Sequence, residues 1–205
     1  MKFEDTEVWG FEHAIRGMRN PLESWKKSDS FIKSPHNYYV IGPNDMKLMK
    51  TLIKAGPEHR KFLRQIFISV DITAPLYWWK EFDTYKVGTV TDSCSTMHKL
   101  KDTPITVDCF EMDDYCGFFE TPWKNLIALL EQCRKEYNET KDKRYWKELI
   151  RLLPESWLQK RTVTMSYENV ANMYSQRMNH KLTEWSKDFI QWADNLPYFK
   201  ELFTV

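Results

Sequence analysis

The sequence is poor in the residues that build the commonest metal, redox and phosphate-binding motifs. Its four cysteines and five histidines are scattered and form no CxxC pair, so we expect reduced thiols and no bound metal. The six glycines form no GxGxxG motif and no Walker loop. HExxH and GxSxG are also missing. The missing glycine motifs argue against the usual dehydrogenase and kinase sites, and the two other missing motifs argue against the usual metalloprotease and esterase sites.

Neither charge nor apolar length points to a nucleic acid or a membrane. The 30 basic and 29 acidic residues leave a net charge of +1, so bulk electrostatics gives no reason to expect a nucleic-acid partner. The longest apolar stretches are far shorter than the roughly 20 residues that span a bilayer, and the N-terminus lacks the apolar core of a signal peptide. We therefore expect a cytoplasmic protein without a membrane partner.

Apolar and aromatic residues are plentiful enough for a folded core. Hydrophobic residues make up 42% of the chain and aromatic residues 15%, which is typical of a globular protein and not of a disordered one. The length fits one domain over residues 1–205. Residues 1–45 are polar and interrupted by prolines, so we expect an irregular N-terminal arm there and the core in residues 46–205. The interruptions are Asn20-Pro21, Ser34-Pro35 and Gly42-Pro43.

Hydrophobic periodicity predicts a chain dominated by helices. An apolar stripe follows Asn44 and predicts a helix with Asn44 as its N-cap and Gly56 as its stop. Alternating polarity predicts a strand over residues 66–73. Residues 83–106 are rich in Thr, Ser and Asp and predict a long ordered loop or a short helix of the kind that carries function. Further helices are predicted over residues 122–138, 141–153 and 166–195.

Two ordered sets of segments resemble a known family. The C-terminal set comprises Arg151-Leu152-Leu153-Pro154, Tyr167-Glu168-Asn169-Val170-Ala171-Asn172, Arg177 and His180-Lys181-Leu182-Thr183-Glu184-Trp185. The other set comprises Ala55-Gly56-Pro57-Glu58-His59, Phe67-Ile68-Ser69-Val70, Glu81-Phe82-Asp83-Thr84-Tyr85-Lys86 and Asp92-Ser93-Cys94-Ser95. In order and spacing these segments resemble the flavin-dependent thymidylate synthases, also called thymidylate synthase complementing proteins. The sequence departs from the family where Thr84-Tyr85-Lys86 stands in place of an Arg-His-Arg signature.

The resemblance implies a helix-dominated α+β fold with a small antiparallel sheet, like that of the thymidylate synthase complementing proteins. It implies that the chain binds dUMP or a related pyrimidine deoxynucleotide, with FAD as cofactor and NADPH and methylenetetrahydrofolate as co-substrates. In the family no side chain attacks the pyrimidine, because reduced flavin delivers a hydride and the protein supplies position and electrostatics. Family members are homotetramers, so the resemblance also implies a homo-oligomer.

The resemblance assigns roles to nine residues. Arg177 is the catalytic candidate, because an Arg facing the uracil carbonyl can stabilise negative charge that develops on the ring. The residues implied to bind the nucleotide are Arg151, Asp92, Ser93, Ser95 and Lys86. Those implied to contact the flavin are Asn172, Tyr85 and His59.

Plainer interpretations of the same residues remain open. Arg177 could pair with Glu184 on a solvated face, and Arg151 could interact with the dipole at the end of its helix. Ser93 and Ser95 also fit an ordinary exposed loop, and an isolated histidine such as His59 is commonly a surface residue. The aromatic pair Trp78-Trp79 predicts core packing, although the same rings could stack on a planar ligand.

Two further hypotheses about function therefore stand beside the enzyme. In the first, the chain is a catalytically inactive member of the same fold that acts as a nucleotide- or protein-binding module; the loss of Arg-His-Arg favours it. In the second, the chain is an unrelated helical interaction protein whose aromatic-rich N-terminal arm makes the contact.

Overall fold

The computed structural model describes residues 1–34 and 38–203, so the predicted interruption at Pro35 lies outside the described residues. It contains six strands and nine α-helices within those residues, with short 3₁₀ turns between them. The strands are β1 (Lys2–Trp9), β2 (Phe31–Lys33), β3 (Tyr38–Val40), β4 (Phe67–Pro75), β5 (Val90–Ser93) and β6 (Leu158–Ser166). The helices are α1 (Phe11–Arg19), α2 (Pro43–Lys54), α3 (Leu76–Phe82), α4 (Thr96–Lys99), α5 (Glu120–Thr140), α6 (Lys143–Arg151), α7 (Tyr167–Arg177), α8 (Ile190–Asp194) and α9 (Phe199–Phe203).

The strands form a small sheet and a hairpin. The four-stranded sheet has the order β1-β4-β6-β5. The hairpin of β2 and β3 is antiparallel, with Phe31 opposite Val40. The architecture confirms the predicted helix-dominated α+β class with a small antiparallel sheet.

The chain divides into two compact units. Unit 1 comprises Met1–Lys2, Asp71–Thr84 and Thr91–Thr162, and unit 2 holds the remaining described residues. That residues 1–205 form a single domain stays a prediction. Among the described residues, no helix is both long enough and apolar enough to cross a bilayer.

Each unit has its own apolar core. In unit 1, α5 and α6 pack with the segment before them, burying Leu100, Ile105, Phe110, Leu130, Cys133 and Leu149. Trp78 and Trp79 are fully buried there and pack edge to face at 4.9 Å, which confirms that they are core residues. The largest buried side chains of unit 2 are Tyr167, Trp185, Phe189, Phe199, Ile15, Met49 and Leu63.

The prediction of an irregular arm over residues 1–45 is wrong. These residues contain β1, α1, β2, β3 and the start of α2. Their order depends on tertiary contacts that a local pattern does not reveal. The buried Arg19 guanidinium lies 2.6 Å from the Asp45 carboxylate, and Asp45 also accepts hydrogen bonds from Ser28 and Ser30.

The start of α2 also differs from the prediction. Pro43 occupies the first helical position, where its missing N–H costs nothing, and Gly42 precedes it as the N-cap. The Asp29 carboxylate, from an earlier segment, accepts hydrogen bonds from the backbone N–H groups of Asn44 and Asp45. Asn44 is therefore inside the helix and is not its cap.

The single helix predicted over residues 166–195 is interrupted. Helix α7 ends at Arg177, and a π-helical turn over Glu184–Phe189 precedes α8. Between them His180 Nδ1 accepts a hydrogen bond from the Leu182 backbone N–H at 3.2 Å. Asn179 and His180 both have low helix propensity, which allows this local bond to replace the helical one.

Candidate functional site

Helix α7 begins with a capping box that fixes its first turn. The Ser166 hydroxyl accepts a hydrogen bond from the Asn169 N–H, and Asn169 Oδ1 accepts one from the Ser166 N–H at 3.1 Å. Burial raises the pKa of Tyr167, the first helical residue, far above its ordinary value. Its hydroxyl therefore stays protonated, and it donates to the Pro197 carbonyl at 2.7 Å.

The last residue of α7 is Arg177, whose guanidinium is held by two aromatic side chains of unit 2. Its Nε donates a hydrogen bond to the Tyr85 hydroxyl at 2.8 Å. The guanidinium carbon lies 4.9 Å from the ring centroid of Trp185 and 5.5 Å from that of Tyr85. Tyr85 in turn donates from its hydroxyl to Gln176 Oε1 at 2.9 Å. These contacts orient a half-buried cation by cation–π interactions and by a hydrogen bond together.

The segment Tyr85–Val90 carries Tyr85 and is itself anchored to α7. Asn169 Nδ2 donates to the Val87 carbonyl at 2.6 Å, and the Thr89 hydroxyl donates to the Tyr85 carbonyl. Gly88 has a φ of +77°, and a Cβ added to it would lie 3.1 Å from Asn169 Oδ1. Asn169 therefore connects the helix cap to the loop. The resemblance gave it no role, although the Ser-x-x-Asn spacing indicates a cap.

Beside this cluster, Arg60 and Glu168 form a largely buried ion pair. Arg60 Nη2 lies 3.0 Å from Glu168 Oε1, and the two side chains are 18% and 9% exposed. The same Nη2 donates to Asn172 Oδ1 at 3.0 Å. Glu168 Oε2 is buried and accepts no hydrogen bond from any residue within 1–34 and 38–203. A buried acceptor without a donor calls for a polar group that the chain does not provide there.

The predicted flavin contact His59 lies next to Arg60 in sequence but faces a cavity. The cavity has a volume of about 490 Å³, and Leu48, Leu52 and Phe62 contribute to its wall. The His59 backbone N–H donates to the Gly56 carbonyl at 3.0 Å. Its assignment to the flavin stays a prediction.

Four predicted nucleotide-binding residues belong to unit 1. Asp92 and Ser93 end β5 and are exposed. Ser95 caps α4, and its hydroxyl oxygen accepts a hydrogen bond from the His98 N–H at 3.2 Å. Arg151 is the last residue of α6 and pairs with Glu148, as expected of a cation near a helix C-terminus.

The predicted residues thus fall into separate groups. His59, Tyr85, Lys86, Asn172 and Arg177 belong to unit 2, and the four residues above belong to unit 1. Contacts join Tyr85 to Arg177 and place Asn172 on Arg60, while Lys86 is exposed. The resemblance gave no role to Arg60, Glu168, Asn169, Gln176 or Trp185.

Of the comparisons with known proteins, the one with solved structures identifies the fold. No protein-family model matches the chain, and no curated protein matches it in sequence. Two solved structures that match the chain are of the flavin-dependent thymidylate synthase ThyX of Helicobacter pylori, each complexed with FAD and dUMP. One superposes with a TM-score of 0.75 and the other with 0.76; each is 16% identical, and each comparison covers 100% of this chain and 98% of the other. This chain therefore has, over its whole length, the fold of the flavin-dependent thymidylate synthase ThyX.

Proposed function

We propose that this protein is a flavin-dependent thymidylate synthase-like enzyme that binds dUMP or a related pyrimidine nucleotide. In this proposal it methylates the nucleotide with FAD, NADPH and methylenetetrahydrofolate. The observation that carries the proposal is the oriented guanidinium of Arg177, in a chain whose fold matches proteins solved with FAD and dUMP. The single cation in Thr84-Tyr85-Lys86 favours the alternative of an inactive nucleotide-binding module.

The proposed role of Arg177 is to bind the pyrimidine ring and to stabilise negative charge on its carbonyl oxygen. A preorganised cation does this without having to reorient during the reaction. Tyr85 is a positioning residue in this scheme, because its hydroxyl accepts the Nε–H of Arg177 and its ring lies beside the guanidinium. Trp185 packs against the same guanidinium at 4.9 Å and limits its movement.

Residues of unit 2 offer donors and an acceptor that fit a flavin ring. The isoalloxazine ring has an imide edge, in which an N–H lies between two carbonyl groups. Glu168 Oε2 is a buried acceptor without a donor among the described residues, and the neighbouring Arg60 is a donor. Flavin, when bound, would supply the hydride. In this proposal flavin binding exposes Glu168 Oε2, which is buried in the chain without flavin, and Glu168 then accepts the imide N–H. Asn172 and Tyr85 remain predicted contacts.

We also propose phosphate-binding roles, and each is argued from the properties of one residue. Lys86 is exposed and offers a point charge, which binds phosphate with less geometric selectivity than an arginine fork. The Ser95 hydroxyl accepts a bond from His98 and still has its own proton to donate to a phosphate oxygen. For Asp92, Ser93 and Arg151 the proposed nucleotide contacts rest on the family resemblance alone. On the same ground we propose that the protein forms a homo-oligomer, which multi-angle light scattering would test.

Titration of the purified protein with dUMP by calorimetry, with and without added FAD, tests the proposal. We expect dUMP to bind and the Arg177→Lys variant to bind it about tenfold more weakly, because lysine lacks the Nε–H that Tyr85 holds. Arg144→Lys is the matched control, since Arg144 is exposed and pairs with Asp142 two residues away. Absence of dUMP binding under both conditions would contradict the proposal.

Two further measurements separate the enzyme from the binding module. The absorbance between 350 and 500 nm after incubation with FAD and removal of excess reports whether flavin is retained. NADPH oxidation that requires both dUMP and methylenetetrahydrofolate, with thymidylate as product, identifies the enzyme. Nucleotide binding with a flat flavin spectrum and no NADPH oxidation identifies the inactive module.

A further inference from the structure

A cavity of about 660 Å³ lies beside the turn that joins β1 to α1, in unit 2. Its volume is within the range of small-ligand sites, roughly 300–1,000 Å³. Five of the residues that line it are aromatic: Trp9, Phe11, Tyr38, Tyr39 and Tyr198. None of them belongs to the candidate site around Arg177, so the function proposed above does not account for this cavity.

The aromatic wall is held in place by contacts behind it. The Tyr198 hydroxyl donates to the Tyr39 carbonyl at 3.0 Å, and Phe11 packs edge to face on Tyr198 at 5.6 Å. Trp9 stacks on Phe67 with ring centroids 5.9 Å apart. Tyr198 also has a φ of +60°, a left-handed conformation that a bulky residue adopts only when its surroundings enforce it. The wall is therefore preformed.

Two carboxylates add a negative charge to this wall. Glu12 and Glu201 both line the cavity and are exposed. Within residues 1–34 and 38–203, neither forms a salt bridge. The wall also contains the titratable side chains of Tyr38, Tyr39, Tyr198 and His13, and His13 accepts a hydrogen bond from Arg16 at 3.2 Å. Burial raises the pKa of Tyr39, a hydrogen bond with Ser30 partly offsets this, and the charges of Asp45 and Glu12 raise it again, so this hydroxyl stays neutral.

One ring of the wall, that of Tyr38, already makes the interaction that such a wall favours. The ammonium group of Lys33 lies 5.7 Å from the centroid of the Tyr38 ring. A cation over an aromatic face is attracted by the negative face of the ring. Tyr38 and Trp9 are each about half exposed, at 48% and 45%, so a ligand can reach their rings.

We propose that this cavity binds a ligand that carries a guanidinium group, with its plane against Trp9 or Tyr38 and its N–H groups on Glu12 and Glu201. Guanidinium is planar, stacks on aromatic rings and donates paired hydrogen bonds to carboxylates. An inorganic cation would leave the rings unused, and an uncharged aromatic ligand would leave both carboxylates without a partner. The guanidinium group uses both features.

Calorimetric titration at low ionic strength with N-acetyl-arginine amide and with its uncharged isostere, N-acetyl-citrulline amide, tests the proposal. We expect the arginine compound to bind at least about tenfold more tightly. The double variant Glu12→Gln/Glu201→Gln should lose at least about tenfold in that affinity. The control Glu7→Gln/Glu139→Gln changes the net charge equally at exposed residues outside the cavity wall and should bind like the parent.

The guanidinium group could come from an arginine side chain or from a free small molecule, and agmatine, titrated in parallel, distinguishes these two sources. If the peptide-like amide binds, the cavity accepts an arginine side chain; if agmatine alone binds, it accepts a free small molecule. Both results support the proposal. Equal and measurable affinity for the arginine and citrulline compounds would overturn it. So would equal losses in the two double variants, measured with the guanidinium probe that binds, or no binding of either guanidinium probe. Circular dichroism of every variant confirms that each has folded, and Trp9→Phe provides a second, milder change to the wall.

Discussion

Asn169 and Val87 are 82 residues apart in the chain, and Asn169 Nδ2 donates a hydrogen bond to the Val87 carbonyl at 2.6 Å. The same asparagine closes the capping box of α7 with Ser166. One side chain thus holds both the start of the helix and the loop that carries Tyr85. Removing it should affect stability and ligand binding together.

Asn169→Ala should lower the free energy of unfolding by about 1–2 kcal/mol, because it removes a cap and a loop contact. Urea denaturation measures this loss, and hydrogen exchange should show faster exchange over residues 85–90. Asn195→Ala is the control, since Asn195 is exposed and its side chain donates to the Gln191 carbonyl one turn away. Unchanged exchange over residues 85–90 would show that Asn169 does not anchor the loop.

Tyr85→Phe should weaken dUMP binding by about three- to tenfold, because it removes the oxygen that accepts the Arg177 Nε–H. The ring remains, so stability should change little. Calorimetric titration measures the affinity, and Tyr145→Phe, at an exposed position of α6, serves as control. If the two variants bind dUMP equally well, the Tyr85 hydroxyl does not position Arg177 for the nucleotide.

Gly10→Ala should destabilise the protein by at least about 1–2 kcal/mol. Gly10 has a φ of +95°, and a Cβ added to it would lie 2.2 Å from the Gln65 carbonyl oxygen. Gly117→Ala is the matched control, because no atom lies within 4 Å of its added Cβ and its φ is not positive. Thermal unfolding should show a lower midpoint for Gly10→Ala only.

Asp45→Asn should cost about 3–5 kcal/mol, because it leaves the buried Arg19 guanidinium without its counter-charge. Chemical denaturation at neutral pH measures the loss. The exposed variant Asp113→Asn should have nearly the stability of the parent. Equal stabilities of the two variants would show that the Arg19–Asp45 pair is dispensable.

Asp45 should also contribute to the acid sensitivity of the fold. Burial alone would raise the pKa of Asp45, but hydrogen bonds from Ser30, Ser28 and Arg19 outweigh burial and lower it from its ordinary value of 3.8. The stability that Asp45 confers is therefore present above that value and is lost as pH falls through the lower folded value. Denaturation at pH 7 and below about pH 4 should show a smaller acid-induced loss in Asp45→Asn than in Asp113→Asn.

Local patterns in the sequence predict those elements whose stability is largely local. The strand predicted over residues 66–73 and the helices predicted over 122–138 and 141–153 agree with β4, α5 and α6 within a few residues. Strand β6 is not predicted, because its Gln, Lys, Arg and Thr residues obscure the alternation that its buried Val163 and Met165 follow.

The candidate site was predictable only in part, because its contacts are long-range. The resemblance selected Arg177 and Tyr85 separately, and the structure joins them by a hydrogen bond across 92 residues. Nothing in the local sequence indicates that Arg60 pairs with Glu168, since the pair depends on how α7 packs in the core of unit 2. The capping signal at Ser166 was readable, but the bond from Asn169 to Val87 was not.

The Arg60–Glu168 pair also constrains how this chain can evolve. Replacing either residue alone leaves a largely buried charge without its partner, which is strongly destabilising. Replacing both by apolar residues of similar size often preserves stability, although here it would remove the proposed flavin acceptor. A lineage that changes one of these residues must therefore change the other almost at once. Among homologues the two positions, 108 residues apart, should therefore change together. Variation counted at one position alone would hide this pairing, because each change there is matched by a change at the other.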